Sequence, residues 1–131
     1  MTPTLHLVAC AALLTWLCIM VASLVRAKSW TPQGMLFAFS NRDTPTPPTA
    51  FAQRTDRMAN NTLENFILFA ALALAANAAG TNPHQVETGA TVYLWARVVY
   101  IPVYMIGIPY LRTAVWGVGA FGMGMILVTL L

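Results

Sequence analysis

Hydrophobic positions run through this chain in four long blocks separated by short polar breaks: Leu5 to Val25, Met58 to Ala79, Thr88 to Leu111 and Thr113 to Leu131. Each block approaches the ~20 residues that a helix rising about 1.5 Å per residue needs to cross about 30 Å of hydrocarbon. Strands crossing a membrane alternate in character at every second residue, and these blocks do not. The spacing predicts an all-α integral membrane four-helix bundle in a single domain over residues 1–131. Its helices are expected over about 5–25, 56–79, 85–109 and 112–131, with a loop over about 26–55.

The breaks carry their own signals. Trp30-Thr31-Pro32-Gln33-Gly34 and Asn41-Arg42-Asp43-Thr44-Pro45-Thr46-Pro47-Pro48 hold proline too densely to continue a helix, so this loop is predicted extended or turning. Gly80-Thr81-Asn82-Pro83 reads as a turn. The third connection, around Pro109 to Arg112, is only a few residues long, which makes the last two helices antiparallel neighbours. Gly117-Val118-Gly119-Ala120-Phe121-Gly122 satisfies the G-x-G-x-x-G spacing literally. A dinucleotide fingerprint needs a preceding strand, and this run lies inside an apolar block, where small residues let neighbouring helices approach closely.

Composition sharpens the picture. Apolar residues make up 58 % and charged residues 8 % of the chain, against about 25 % charged in an ordinary soluble domain. Arg26, Lys28, Arg42, Arg54 and Arg57 lie in or beside the first connection, and Arg112 at the third. By the positive-inside rule these two connections face the cytoplasm and both termini the opposite side. Positive charge follows the first block and does not precede it, so that block is expected to be a retained helix and not a cleaved signal. The formal charge of +3 reflects this topology and gives no reason to expect nucleic-acid binding. Cys10 and Cys18 sit eight residues apart on one helix, about 12 Å and too far for a disulfide. They read as small apolar residues facing lipid or helix, and no metal-ligand spacing occurs.

Polar residues inside the blocks are the candidate chemistry. Taken as helix, Arg54, Arg57, Asn61 and Glu64 fall at i, i+3, i+7 and i+10, within an arc of about 80°, while Asp56 and Asn60 lie off that stripe. Interfacial snorkelling and capping can explain Arg54 and Arg57 but poorly explain Asn61 and Glu64. Arg97, Tyr100 and Tyr104 form a second stripe that leads toward Arg112, with Pro102 between them loosening or bending the helix. An arginine inside a span costs several kcal/mol unless it pairs or reaches water. Glu64 is the only acid embedded in the four blocks, so Arg97 and Glu64 are expected to pair. That pair could be no more than a helix clamp. With Arg57, Arg112, Thr113 and Arg26 nearby, the cluster instead suggests a cationic pocket for a small anionic molecule meeting an apolar one.

Arg54-x-x-Arg57-x-x-x-Asn61-x-x-Glu64 resembles the second-helix signature of the MAPEG family, the membrane-associated proteins in eicosanoid and glutathione metabolism. Ala96-Arg97-x-x-Tyr100-x-x-x-Tyr104, followed by Arg112, is similar to that family's third-helix signature and the arginine after it. Asn41-Arg42-Asp43 with prolines behind it resembles the loop of bacterial members, which implies a bacterial inner membrane. The resemblance implies a homotrimer binding glutathione between subunits near the cytoplasmic face. Asn61, Glu64 and Tyr104 would hold the tripeptide, with Arg26, Arg57, Arg97 and Tyr100 around it. Arg112 would favour the thiolate, with Thr113 as a second donor. Asn60 stands where some members carry a basic residue, and Tyr100 where some carry histidine.

Three functions compete. The first is a membrane glutathione transferase or peroxidase that joins the thiolate to lipophilic electrophiles or reduces lipid peroxides. The second is a non-catalytic lipid-binding scaffold of the same fold, and the third a small multidrug transporter. Such transporters use a carboxylate in the first helix, and here that helix has none.

Overall fold

The computed structural model describes residues 1–43 and 47–131; the Thr44-Pro45-Thr46 part of the proline-dense stretch lies outside the described residues. Five helices follow in order: α1 (Pro3–Ala27), α2 (Pro32–Phe39), α3 (Ala50–Ala79), α4 (Pro83–Ile106) and α5 (Pro109–Leu130). All except α2 are long and apolar enough to span a membrane. The last two spans are antiparallel neighbours, joined only through Gly107 and Ile108, and they pack more extensively than any other pair.

Short polar side chains start the helices. Thr2, Thr31, Thr49 and Asn82 each precede a first turn and accept from the backbone N–H three residues on, at 3.3, 3.0, 3.1 and 3.3 Å. A side-chain cap of this kind contributes about 1 kcal/mol. In three cases proline follows at the first helical position, where its fixed φ suits the helix and its missing N–H has no bond to lose.

Three expectations are corrected. The first loop is not extended throughout, because Thr31-Pro32 starts a helix there and Pro32 opens α2. Likewise Pro109 begins α5, and the turn falls earlier, at Gly107 with φ 91°. Arg112 therefore sits in the first turn of α5 and not in the connection. The helix bearing the first polar stripe also begins at Ala50, six residues before the expected 56, because Thr49 caps it.

Small residues set the packing. A Cβ on Gly122 would stand 2.7 Å from the Gly89 carbonyl oxygen, and one on Gly89 would stand 2.7 Å from that of Gly122, so α4 and α5 touch backbone to backbone. Gly119 is buried against Ala96 as well. The G-x-G-x-x-G run is thus a helix-packing surface. Toward the termini, Phe69 stacks on Tyr93 with ring centroids 4.0 Å apart, among Ala11, Ala73, Ala76, Ala90 and Ile126. Toward the opposite end, Cys18, Ala22, Met58 and Ala59 pack around Tyr100 and Tyr104. Cys18 faces the helices and Cys10 is exposed. Five of the seven cations, from Arg26 to Arg57, cluster with Arg112 at this second end, referred to below as the basic end.

A hollow at the basic end of the bundle

At the basic end, α3, α4 and α5 surround a hollow of about 550 Å³, within the range of about 300–1,000 Å³ usual for small-molecule sites. Arg57, Asn60, Asn61 and Glu64 come from α3, Tyr100 and Tyr104 from α4, and Arg112, Thr113 and Trp116 from α5. Seven of the nine residues expected from the sequence line it; Arg26 and Arg97 do not. Asn60 and Trp116 were not anticipated. Trp116 follows Arg112 at i+4, so helical phase would have found it once Arg112 was accepted, whereas Asn60, at i+3 from Arg57, borders the stripe that helical phase drew and was set aside by it.

The expected ion pair between Arg97 and Glu64 does not form. Arg97, only 2 % exposed, donates from Nη1 to the Asn61 Oδ1 at 2.9 Å. Its guanidinium carbon lies 5.7 Å from the Tyr93 ring centroid and 4.7 Å from that of Tyr100. A charge-assisted hydrogen bond is worth about 1.5–3 kcal/mol and each cation–π contact about 0.5–2 kcal/mol. Together these offset much of the roughly 2.5–3.5 kcal/mol that insertion scales assign to a mid-span arginine, without an acid. Glu64, one helical turn beyond Asn61, is exposed on the wall of the hollow and makes no hydrogen bond or ion pair among the described residues.

Arg26 is also taken up elsewhere. Its Nη2 meets Asp56 Oδ1 at 2.7 Å and its Nε meets both carboxylate oxygens at 3.2 Å, tying the end of α1 to the start of α3. Asp56 lies off the polar stripe because it faces α1. Arg54 donates from Nε to the Met105 carbonyl at 3.1 Å. The residue four beyond Met105 is Pro109, which has no N–H to give that carbonyl. Arg54 therefore caps the C-terminus of α4, where a cation also suits the helix dipole.

What remains open in the hollow is a defined set of charges. Arg57, Glu64 and Arg112 have no internal ion-pair or hydrogen-bond partner through their side chains among the described residues, leaving one net positive charge on its wall. The Arg112 guanidinium stacks over Tyr104 at 4.7 Å, and Tyr104 meets Tyr100 edge to face at 5.5 Å. This fixes Arg112 over the hollow while its N–H groups stay free. It lies in the first turn of α5, at the positive end of the helix dipole, so the two positive potentials add.

Fold and site together define a class: a four-span membrane bundle with an anion-attracting polar hollow at one end. A family comparison identifies it further. The model of the MAPEG family matches residues 3–131, nearly the whole chain, and the protein belongs to that family. Among individually curated proteins, none matches the chain significantly.

Proposed function

We propose that the hollow binds glutathione and that the protein is a membrane glutathione transferase or peroxidase acting on lipophilic electrophiles. The observation that carries this reading is the unpaired set Arg57, Glu64 and Arg112 around one cavity. Glutathione carries two carboxylates, one ammonium and one thiol. Arg57 suits a carboxylate, Glu64 the ammonium and Arg112 the ionised thiol, and Asn60, Asn61, Tyr100 and Tyr104 supply hydrogen-bonding groups for the peptide units and the other carboxylate.

Arg112 has a role suited to its chemistry. Guanidinium stays protonated near neutral pH, so it is no general base. A cation beside a thiol favours the thiolate and lowers its pKa from about 8.5. Glutathione bound here would supply that thiolate as the nucleophile toward an electrophile or peroxide. The Thr113 hydroxyl donates its one hydrogen to the Pro109 carbonyl at 3.2 Å, so it is not free as the second donor expected from the sequence, and the thiolate role falls to Arg112 alone. Trp116, 43 % exposed, gives the rim an apolar edge where a lipophilic substrate can approach. The basic end would face the cytoplasm of a bacterial inner membrane. A homotrimer would close the open side of each hollow with a neighbouring subunit.

The test is to titrate the purified protein in detergent with glutathione while following thiolate absorbance and conjugation of a chlorinated nitrobenzene. Binding with a thiolate signal is expected. Arg112→Ala should abolish that signal while weakening binding much less. Absence of binding at millimolar glutathione would sink the reading in favour of a scaffold. Binding without a thiolate would leave the site and remove the catalysis.

A further inference from the structure

We propose that Arg97 is a positioning residue that dictates which way round the Asn61 amide faces, so that the hollow presents a hydrogen-bond donor there. The inference rests on the reading of the hollow as a glutathione site for its ligand, but the orientation itself follows from the donors around Asn61.

An arginine side chain has five N–H donors and no acceptor. Whatever atom of Asn61 faces Arg97 must therefore be the oxygen, and the contact is Nη1 to Oδ1 at 2.9 Å. Asn65, one turn further along α3, adds a second donor. Its Nδ2 binds the Asn61 backbone carbonyl at 2.9 Å, which can only accept, and reaches Asn61 Oδ1 at 3.3 Å. Both lone pairs of Oδ1 are then engaged from inside the bundle. Asn61 lines the hollow, and its Nδ2 has no partner among the described residues. A ligand meeting Asn61 encounters N–H donors and must offer a carboxylate or carbonyl oxygen.

Flipping the amide would set its NH₂ against a guanidinium that already has one orphan, because Arg97 Nη2 is buried without a hydrogen-bond partner. A buried donor left without an acceptor is disfavoured, so the flipped state is suppressed. The oxygen-facing ligand is thus selected by a residue that never lines the cavity. A ligand with an N–H at this position would meet donor against donor, the kind of mismatch by which hydrogen-bonding sites reject analogues strongly.

Two substitutions at one position separate this from a simple α3–α4 clamp. Asn61→Ala removes the oxygen and the donor together: the thermal midpoint should fall, and glutathione affinity should drop about tenfold. Asn61→Asp gives Arg97 a counter-ion but shows an acceptor to the ligand. Its midpoint should equal or exceed that of the unaltered protein, while affinity drops about 100-fold. A clamp alone would make affinity follow stability. If Asn61→Asp binds glutathione as tightly as the unaltered protein, or is no more stable than Asn61→Ala, the inference is overturned.

A thermal double-mutant cycle of Asn61→Ala with Arg97→Met, each of which removes the contact without making a new one, needs no ligand. Coupling between the two supports the fixed amide, and additivity overturns it. Coupling in a protein that ignores glutathione would remove the proposed function and leave the orientation standing. Arg97→Lys, still a donor only, replaces Arg97→Met should the latter fail to fold, and it should retain more affinity than Asn61→Asp.

Discussion

The two ends of the bundle both carry polar side chains around a hollow, and they use them in opposite ways. Toward the termini, a hollow of about 260 Å³ lies among Thr2, Asn77, Thr81 and Glu87. There the groups mostly satisfy one another: Thr2 Oγ1 donates to Asn77 Oδ1 at 3.0 Å, and the Thr81 and Thr129 hydroxyls meet at 3.1 Å. Gln85 Nε2 donates to the Met125 carbonyl at 3.0 Å. Glu87 is the one charged residue on that wall, a lone acid whose side chain has no partner among the described residues and no cation beside it on the wall. The basic end holds three charged residues on its wall, and none of them is paired within the chain among the described residues. Polarity alone does not mark a site; polarity that the fold leaves unspent does.

Substitutions that break this contrast should separate affinity from stability. The largest effect is expected of Glu64→Gln, at a side chain with no hydrogen bond or ion pair among the described residues. Titration should show glutathione affinity reduced by about 10–100-fold, from loss of a charged hydrogen bond, with the thermal midpoint unmoved. Next, Gly122→Ala forces a methyl against the Gly89 carbonyl and should destabilise by about 1–3 kcal/mol in chemical unfolding. Its glutathione affinity, once corrected for the folded fraction, should stay the same. Thr2→Ala, which removes the α1 cap and the Asn77 contact, should cost about 1 kcal/mol and leave binding alone. The smallest effect belongs to Arg26→Ala. Its ion pair with Asp56 is half exposed on the arginine side, so the loss should be about 0–1 kcal/mol and fade as salt is raised. A large loss of glutathione affinity on Thr2→Ala, or a large loss of stability on Glu64→Gln, would dissolve the distinction between the two ends.

Much of this was legible along the chain. Four apolar blocks became four spans, because hydrocarbon thickness imposes a length on any helix that crosses it. The polar stripes were legible for a related reason: 3.6-residue periodicity places Arg57, Asn61 and Glu64 on one side of α3 whatever surrounds it. Helix starts were harder. Thr31-Pro32 and Pro109 look like breaks, yet a proline at the first helical position opens a helix as readily as it ends one, after a capping side chain at Thr31 and without one at Ile108.

Periodicity orders residues within a helix but leaves open the azimuth at which that helix meets its neighbour. The sequence by itself determined that Arg97 must find something polar and that Asn61 and Glu64 were both at hand. Only the tertiary structure decided between them. Backbone contact at Gly89 and Gly122 sets α4 against α5, and alanines such as Ala59, Ala73 and Ala90 bring α3 close. That rotation delivers Asn61 to Arg97 and turns Glu64 outward to the hollow. Close packing fixes such rotations through contacts distant in sequence, and so the partner of one buried cation was settled by glycines and alanines on other turns and other helices.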